Sequence, residues 1–176
     1  MTERIARAVN LATRAHEGQT RKYGGNPPYI VHPTRVAITA AMMYQGDNKE
    51  DVICAALLHD VLEDTECPPT VIEERCGDAV LRLVQELTNA SKSPEHASKP
   101  RAIRKQIDRD HLKTASPEAK FLKLCDRLDN LRDMAMAPGG FRKLYNQESL
   151  ELLEVLKGVH PELERQMGEL LNSGNG

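Results

Sequence analysis

The stretch Ala55-Ala-Leu-Leu-His-Asp-Val-Leu-Glu-Asp-Thr65, AALLHDVLEDT, decides how the rest of the chain is read. It opens as an apolar run, then places one histidine and three carboxylates within six residues, 59–64. On a helix of about 3.6 residues per turn, His59 lies one turn before Glu63, and Asp60 one turn before Asp64. These four polar residues then share one side, and Cys54, Leu57, Leu58, Val61 and Leu62 share the other. Such a helix packs its apolar side and gathers its charge in one place. Clustered like charges raise one another's pKa and cost stability unless a cation neutralises them. An imidazole beside a carboxylate is a mixed nitrogen and oxygen ligand set that suits a first-row divalent metal. Taken alone, the stretch is explained equally well as a solvated polar face.

Composition narrows the fold. Hydrophobic residues make up 40 % of the 176 positions, aromatics only 3 %, and Trp is absent. Leu, Ala, Val, Ile and Met must therefore build the core. Strands draw on β-branched and aromatic residues, so this composition favours helix on helix. The length suits one compact domain spanning 1–176. A net charge of −2 gives no global signal for nucleic acid or a membrane. No apolar run is long enough to span a bilayer, and MTERIARAVN lacks the apolar core of a signal peptide. The four cysteines form no CxxC pair, and Cys54 and Cys125 sit inside apolar runs. They read as small core residues in a reducing cytoplasm. The expectation is a cytoplasmic protein that binds neither nucleic acid nor membrane, with its oligomeric state open.

Apolar spacing predicts a first helix over residues 3–16 and a loop from Gly18 to Tyr29. His32-Pro33 opens a second helix, because proline suits a first helical turn. Gly46 ends it, and Asn48 caps a third that runs to about Asp64. Thr70 and Glu73 match a capping box for a short helix ending near Gly77, and Asp78 caps the next. Residues 89–100 read as a mobile Ser-, Pro- and Lys-rich segment. A basic helix covers 101–113, and Ser116-Pro117 starts a long helix to about Met136. After Pro138-Gly-Gly140, one or two helices span 141–171. The fold expected is an all-α bundle of roughly eight helices with no strand.

Two further stretches bear on the polar cluster. Tyr29-Ile-Val-His32-Pro33 puts a histidine at the start of a helix. Leu124-Cys-Asp126-Arg-Leu-Asp-Asn130-Leu-Arg132 puts an aspartate and an asparagine one turn apart on a mostly apolar helix. Asp126 follows Phe121-Leu-Lys-Leu-Cys125, so it is partly buried, and a buried carboxylate needs a partner. Singly, Asp126 reads as a helix salt bridge and His32 as a satisfied core histidine. With His59-Asp60 they supply two imidazoles and two carboxylates from three helices. That set fits an octahedral metal with water in its open positions.

The pattern H…HD…D resembles the HD superfamily of metal-dependent phosphohydrolases. The fuller set resembles the hydrolase domain of the RelA/SpoT family, most closely its small free-standing members of the metazoan type. It comprises Ala15-His16 with Gln19, Arg21-Lys22, Pro28-Tyr-Ile-Val-His32-Pro33, AALLHDVLEDT, and Leu124-Cys-Asp-Arg-Leu-Asp-Asn-Leu-Arg-Asp133. The likeness runs from about residue 4 to residue 136. It implies one Mn²⁺ per chain, held by His32, His59, Asp60 and Asp126. It implies that Glu63 and Asp64 position and deprotonate the attacking water. The substrate implied is a small-molecule nucleotide: the 3′-pyrophosphate of ppGpp or pppGpp is hydrolysed to GDP or GTP and pyrophosphate. Arg21 would stack on the base or hold phosphate, Lys22 would face phosphate, and Asn130 would reach the ribose. The resemblance also implies a free-standing hydrolase without a synthetase domain.

Three features depart from the family pattern. The loop between Lys22 and Pro28 is longer than in the bifunctional members. Asp129 stands where His or Tyr is common, and Tyr23 replaces a small or acidic residue. These bear on base selectivity and leave the metal untouched. Tyr23 offers a second planar surface for a purine. The basic segment Lys99–Lys113 reads either as a solvated face or as a rim that draws in polyphosphate. Two other functions fit the same residues: another nucleotide phosphohydrolase, such as an NADPH 2′-phosphatase, or a non-catalytic nucleotide-binding regulator of the antitoxin kind. Glu63 and Asp64 argue against the regulator, because a binder needs no base beside a metal.

Overall fold

The structure, a computed structural model, describes residues 1–173. Among the described residues the chain forms ten α-helices and no strand, as the composition predicts. They are α1 (Glu3–Ala15), α2 (Val31–Met43), α3 (Lys49–Leu58), α4 (Val61–Asp64), α5 (Pro69–Cys76), α6 (Asp78–Leu87), α7 (Arg101–Thr114), α8 (Pro117–Asp133), α9 (Gly139–Val155) and α10 (Pro161–Ser173).

Two helices carry the core. Beyond its first turn, helix α3 is apolar on every side, and Val52, Cys54, Ala55, Ala56, Leu57 and Leu58 are all buried. A helix apolar all round must be enclosed, and α1, α2 and α6 enclose it. Ala8 and Ala12 of α1 are fully buried, and their small side chains suit close approach to α3. Helix α8 packs against α2, α6, α9 and α10. Its start follows the sequence: Ser116 Oγ accepts from the Ala119 N–H at 3.2 Å, and Pro117 takes the first helical position. It buries Phe121, Leu122, Leu124, Cys125, Leu128 and Leu131, and with them Asp126, Asp129 and Asp133.

Several local expectations need correction. The helix expected from Asn48 to Asp64 breaks at His59 and Asp60, leaving α4 as one turn. The cause is local: the His59 imidazole Nδ1 lies 2.8 Å from the carbonyl of Ala56, an acceptor a continuing helix would use. The capping box at Thr70 does not form, because Pro69 starts α5 one residue earlier and leaves no side-chain cap. Asp78 likewise lies inside the first turn of α6 and pairs with Arg82. Residues 89–100 are not a free segment. Ala90–Lys92 form a 3₁₀ turn, and Asp108 of α7 accepts from the Ser91 N–H at 2.9 Å and its hydroxyl at 3.0 Å.

The loop between α1 and α2 folds back on itself. Tyr29 N–H donates to Gln19 O and Arg21 N–H to Pro27 O, both at 2.9 Å. Its tip, Gly24-Gly25-Asn26, has positive φ at all three residues. At Gly24 a Cβ would also come within 3.1 Å of the Asp133 carboxylate. Glycine is therefore needed there on two counts. The loop is thus shaped to lay Arg21 against α8.

Leu124 is fully buried in α8. Leu124→Ala is expected to lower unfolding stability by about 2–5 kcal/mol, the usual range for a closed aliphatic site. Urea denaturation followed by circular dichroism measures it.

Candidate active site

Three elements bring the predicted ligands together: the start of α2, the α3–α4 junction and the middle of α8. His32, His59 and Asp126 each offer a ligand atom within 4.8 Å of the others, and all three are buried. His32 Nε2 lies 3.2 Å from His59 Nε2 and 3.2 Å from Asp126 Oδ1. Asp60 joins them, with Oδ2 3.1 Å from His59 Nε2 and 3.5 Å from His32 Nε2. The predicted groups therefore converge on one point although the helix carrying two of them is broken. The break turns both His59 and Asp60 inward.

The far side of each imidazole is held. His32 Nδ1 meets the Asp129 carboxylate at 2.7 Å, and His59 Nδ1 meets the Ala56 carbonyl at 2.8 Å. Both partners are acceptors, so each ring carries its proton on Nδ1. The two Nε2 lone pairs then face each other and two carboxylate oxygens. That is an electron-rich pocket without a positive centre. Charge leads to the same conclusion. Joined by direct contacts, the carboxylates of Asp60, Glu63, Asp64, Asp126, Asp129 and Asp133 meet the cations Arg21, Arg35, Lys92 and Lys123. With neutral imidazoles, two negative charges are left over, which a divalent cation would neutralise. The residues present fit such an ion.

Without a metal, protons take its place. Burial acts to lower the pKa of His59, but Asp60 and Asp126 overcome it and hold the pKa well above the ordinary value of 6.5. Burial likewise acts against charge on His32, and Asp126 and Asp129 raise its pKa overall. Burial would push Asp126 up, yet Lys123 and the two histidines hold it well below the usual carboxylate range. Asp60 is lowered as well, against its burial, chiefly by His59.

Glu63 and Asp64 lie beside this point, held by residues the sequence did not single out. Asn89 donates to Glu63 from its backbone N–H at 3.1 Å and from its side-chain amide at 2.8 and 2.9 Å. Lys92 Nζ sits 3.4 Å from Glu63 and 3.3 Å from Asp64, so one ammonium separates two carboxylates. Tyr29 donates its hydroxyl to Asp60 Oδ2 at 2.6 Å and lies 3.4 Å from Asp64 Oδ2. Its burial and then the charge of Asp60 raise its pKa, so it remains a donor. Lys123 Nζ is 3.0 Å from Asp126 Oδ2. Tyr29, Asn89, Lys92 and Lys123 all lay in stretches read for other features. Only Lys123, one turn before Asp126, carried a usable spacing signal.

The predicted substrate residues gather at the rim. Arg21 donates to Asn130 Oδ1 at 2.6 Å and pairs with Asp133 at 3.1 Å, with its guanidinium 5.4 Å from the Tyr29 ring centre. Asn130 in turn donates to Asp126. Lys22 is exposed, its Nζ 5.4 Å from the Tyr23 ring centre, and Tyr23 tilts against Phe141 at 5.9 Å. Asp129 is not at the rim. It is 1 % exposed and lies behind His32, so it does not face a base. Two of the α7 cations are tied up: Arg101 binds Glu148 at 2.6 Å and Arg109 binds Glu151 at 2.8 Å. This favours a structural role for that segment.

The chain matches the HD domain over residues 8–158. It belongs to the HD-domain family. Within it, the chain is 34 % identical to human guanosine-3′,5′-bis(diphosphate) 3′-pyrophosphohydrolase MESH1, over 95 % of this chain and 90 % of that one. It is 39 % identical to a guanosine-3′,5′-bis(diphosphate) 3′-pyrophosphohydrolase of Aquifex aeolicus over 85 % of its length, but spans only 20 % of that longer protein. A solved metazoan SpoT orthologue, described as hydrolysing ppGpp, superposes with a TM-score of 0.85 at 29 % identity, covering 99 % of this chain and 97 % of that one. The family expected from H…HD…D is borne out.

A divalent ion held by His32 and His59 would compete with protons on both imidazoles, whose raised pKa values extend that competition above pH 6.5. Affinity for Mn²⁺ should therefore already be falling as the pH drops toward 6.5, where free imidazole would still be mostly neutral. A Mn²⁺ titration at falling pH checks the sign. A flat profile would rule out the two histidines as ligands.

Proposed function

We propose that this protein hydrolyses the 3′-pyrophosphate of ppGpp and pppGpp in a Mn²⁺-dependent reaction. Water is consumed, and GDP or GTP and pyrophosphate are released. The observation that carries the reading is the convergence of His32, His59, Asp60 and Asp126 on one point, with Glu63 and Asp64 alongside. The names of its relatives add the substrate: human MESH1 and the Aquifex protein are both named as 3′-pyrophosphohydrolases of this nucleotide.

His32, His59, Asp60 and Asp126 would hold the metal. Bound there, Mn²⁺ supplies a Lewis acid and lowers the pKa of water at the site. Glu63 and Asp64 accept the proton of the attacking water. Lys92 between them balances their charge. Arg21 and Lys22 meet the phosphates and the purine, Tyr23 offers a further ring, and Asn130 reaches the ribose. Arg21 is preorganised for this, because Asn130 and Asp133 hold its guanidinium planar against the rim. Among the described residues no helix is long and apolar enough to cross a membrane, and the cysteines are free. Free cysteines suit a reducing compartment, and the location proposed is the cytoplasm.

Chelation should abolish turnover and Mn²⁺ should restore it. Glu63→Gln and Asp64→Asn should keep the metal while kcat falls by about 10²–10⁴, the usual worth of a positioned base. Metal content measured beside kcat separates base from ligand. A variant that loses both in proportion has lost a ligand.

Substrate choice follows from charge. A 3′-pyrophosphate brings more negative charge than a 2′-monophosphate, and Arg21, Lys22 and Lys92 can meet it. The expected order of kcat/KM is ppGpp first, its adenine analogue measurable, and NADPH weaker. Arg21→Ala should raise KM more than it lowers kcat. A higher kcat/KM for NADPH than for ppGpp, under the same Mn²⁺, would leave only a metal-dependent phosphohydrolase of another nucleotide.

A further inference from the structure

Buried Asp129 pairs with partly exposed Arg35 beside the ligand cluster. Asp129 Oδ2 accepts from His32 Nδ1 at 2.7 Å and from Arg35 Nη2 at 2.9 Å, and Arg35 Nε lies 2.7 Å from Asp129 Oδ1. Arg35 also reaches Asp133 at 3.0 Å. The second imidazole is held differently. His59 Nδ1 meets a backbone carbonyl, which the helix itself keeps in place. A carboxylate on a side chain has no such support. It stays behind His32 only if something fixes its rotamer, and Arg35 does so with two nitrogens on two oxygens.

We propose that Asp129 and Arg35 are a positioning pair for the metal site: Asp129 holds His32 with its Nε2 lone pair aimed at the ion, and Arg35 holds Asp129. The inference rests on the metal reading proposed above. Its chemical consequence is an asymmetry between the two imidazoles. An anionic acceptor on Nδ1 makes the opposite nitrogen a stronger donor than a neutral carbonyl does. His32 is therefore the stronger nitrogen ligand and His59 the weaker. The pair also closes a ring of contacts. From His32 it runs through Asp129, Arg35, Asp133, Arg21 and Asn130 to Asp126. Two ligands from different helices are thus held by one network that includes the rim arginine.

A plain structural ion pair would alter thermal stability and leave metal affinity alone, so the test reads affinity. Free Mn²⁺ is followed by its electron paramagnetic resonance signal in titrations of the full chain. The proteins are wild type, Asp129→Asn, Arg35→Met and the double variant, with circular dichroism confirming the fold of each. Asp129→Asn keeps the shape and removes the charge, and should bind Mn²⁺ about 10–100-fold more weakly. Arg35→Met should weaken binding less. The double variant should lose less than the sum of the two single losses, because Arg35 acts on His32 only through Asp129. Wild-type affinity in Asp129→Asn, or losses that add in the double variant, would overturn the pair while leaving the metal reading intact. If Asp129→Asn fails to fold, Arg35→Met decides: unchanged affinity there overturns the proposal. Wild type that binds no Mn²⁺ sinks the metal reading, and this inference with it.

Discussion

Two imidazole nitrogens face each other at 3.2 Å inside a core built mainly of aliphatic side chains. Their far nitrogens are already committed to acceptors, and carboxylates close the space around them. Buried charge of this density is costly unless it is paired or coordinated. Much of the surrounding architecture follows from that cost. Helix α3 stops so that His59 can take the Ala56 carbonyl and Asp60 can turn inward. Helix α8 carries Asp126, Asp129, Asn130 and Asp133 through a packed environment, and each has a partner. The 3₁₀ turn at 90–92 is pinned where it can supply Asn89 and Lys92 to the site.

The same constraint separates two kinds of carboxylate. Asp60 and Asp126 are enclosed, and their neighbours hold them ionised against burial. Asp64 is about a third exposed, at 34 %, and shares the Lys92 ammonium with Glu63. A ligand must be dry and fixed, whereas a proton acceptor must reach water and return its proton to it. Asp60 and Asp64 sit one turn apart in sequence, yet Asp60 is 17 % exposed and Asp64 twice that. On the function proposed, one short stretch would serve two chemical roles.

The sequence made much of this legible, and for identifiable reasons. The alternation of apolar and polar positions in AALLHDVLEDT depends only on local geometry, so the grouping of His59, Asp60, Glu63 and Asp64 could be read directly. Asp126 was readable because a carboxylate inside Phe121-Leu-Lys-Leu-Cys125 has to be explained. Asn89 and Lys92 were not readable. They lie in a Ser- and Lys-rich segment whose composition suits a mobile loop, and only contacts with Glu63, Asp64 and α7 order it. Asp129 was visible but misplaced. Helical spacing puts it near Asp126, but whether it points to the rim or to the back of His32 depends on where α2 lies. The capping box at Thr70 failed because Pro69, a stronger helix starter, stood one residue earlier.

By itself, the amino-acid sequence determined an all-α chain, a polar cluster on one helix face, and the ligand types that make a divalent metal the natural counter-charge. Those are matters of composition and of spacing within single helices, where neighbours in sequence are neighbours in space. Only the tertiary structure decided that Tyr29 meets Asp60 and that Arg35 stands behind Asp129. Each of those contacts joins elements distant in the chain. Their geometry is set by how helices pack, which no local periodicity encodes.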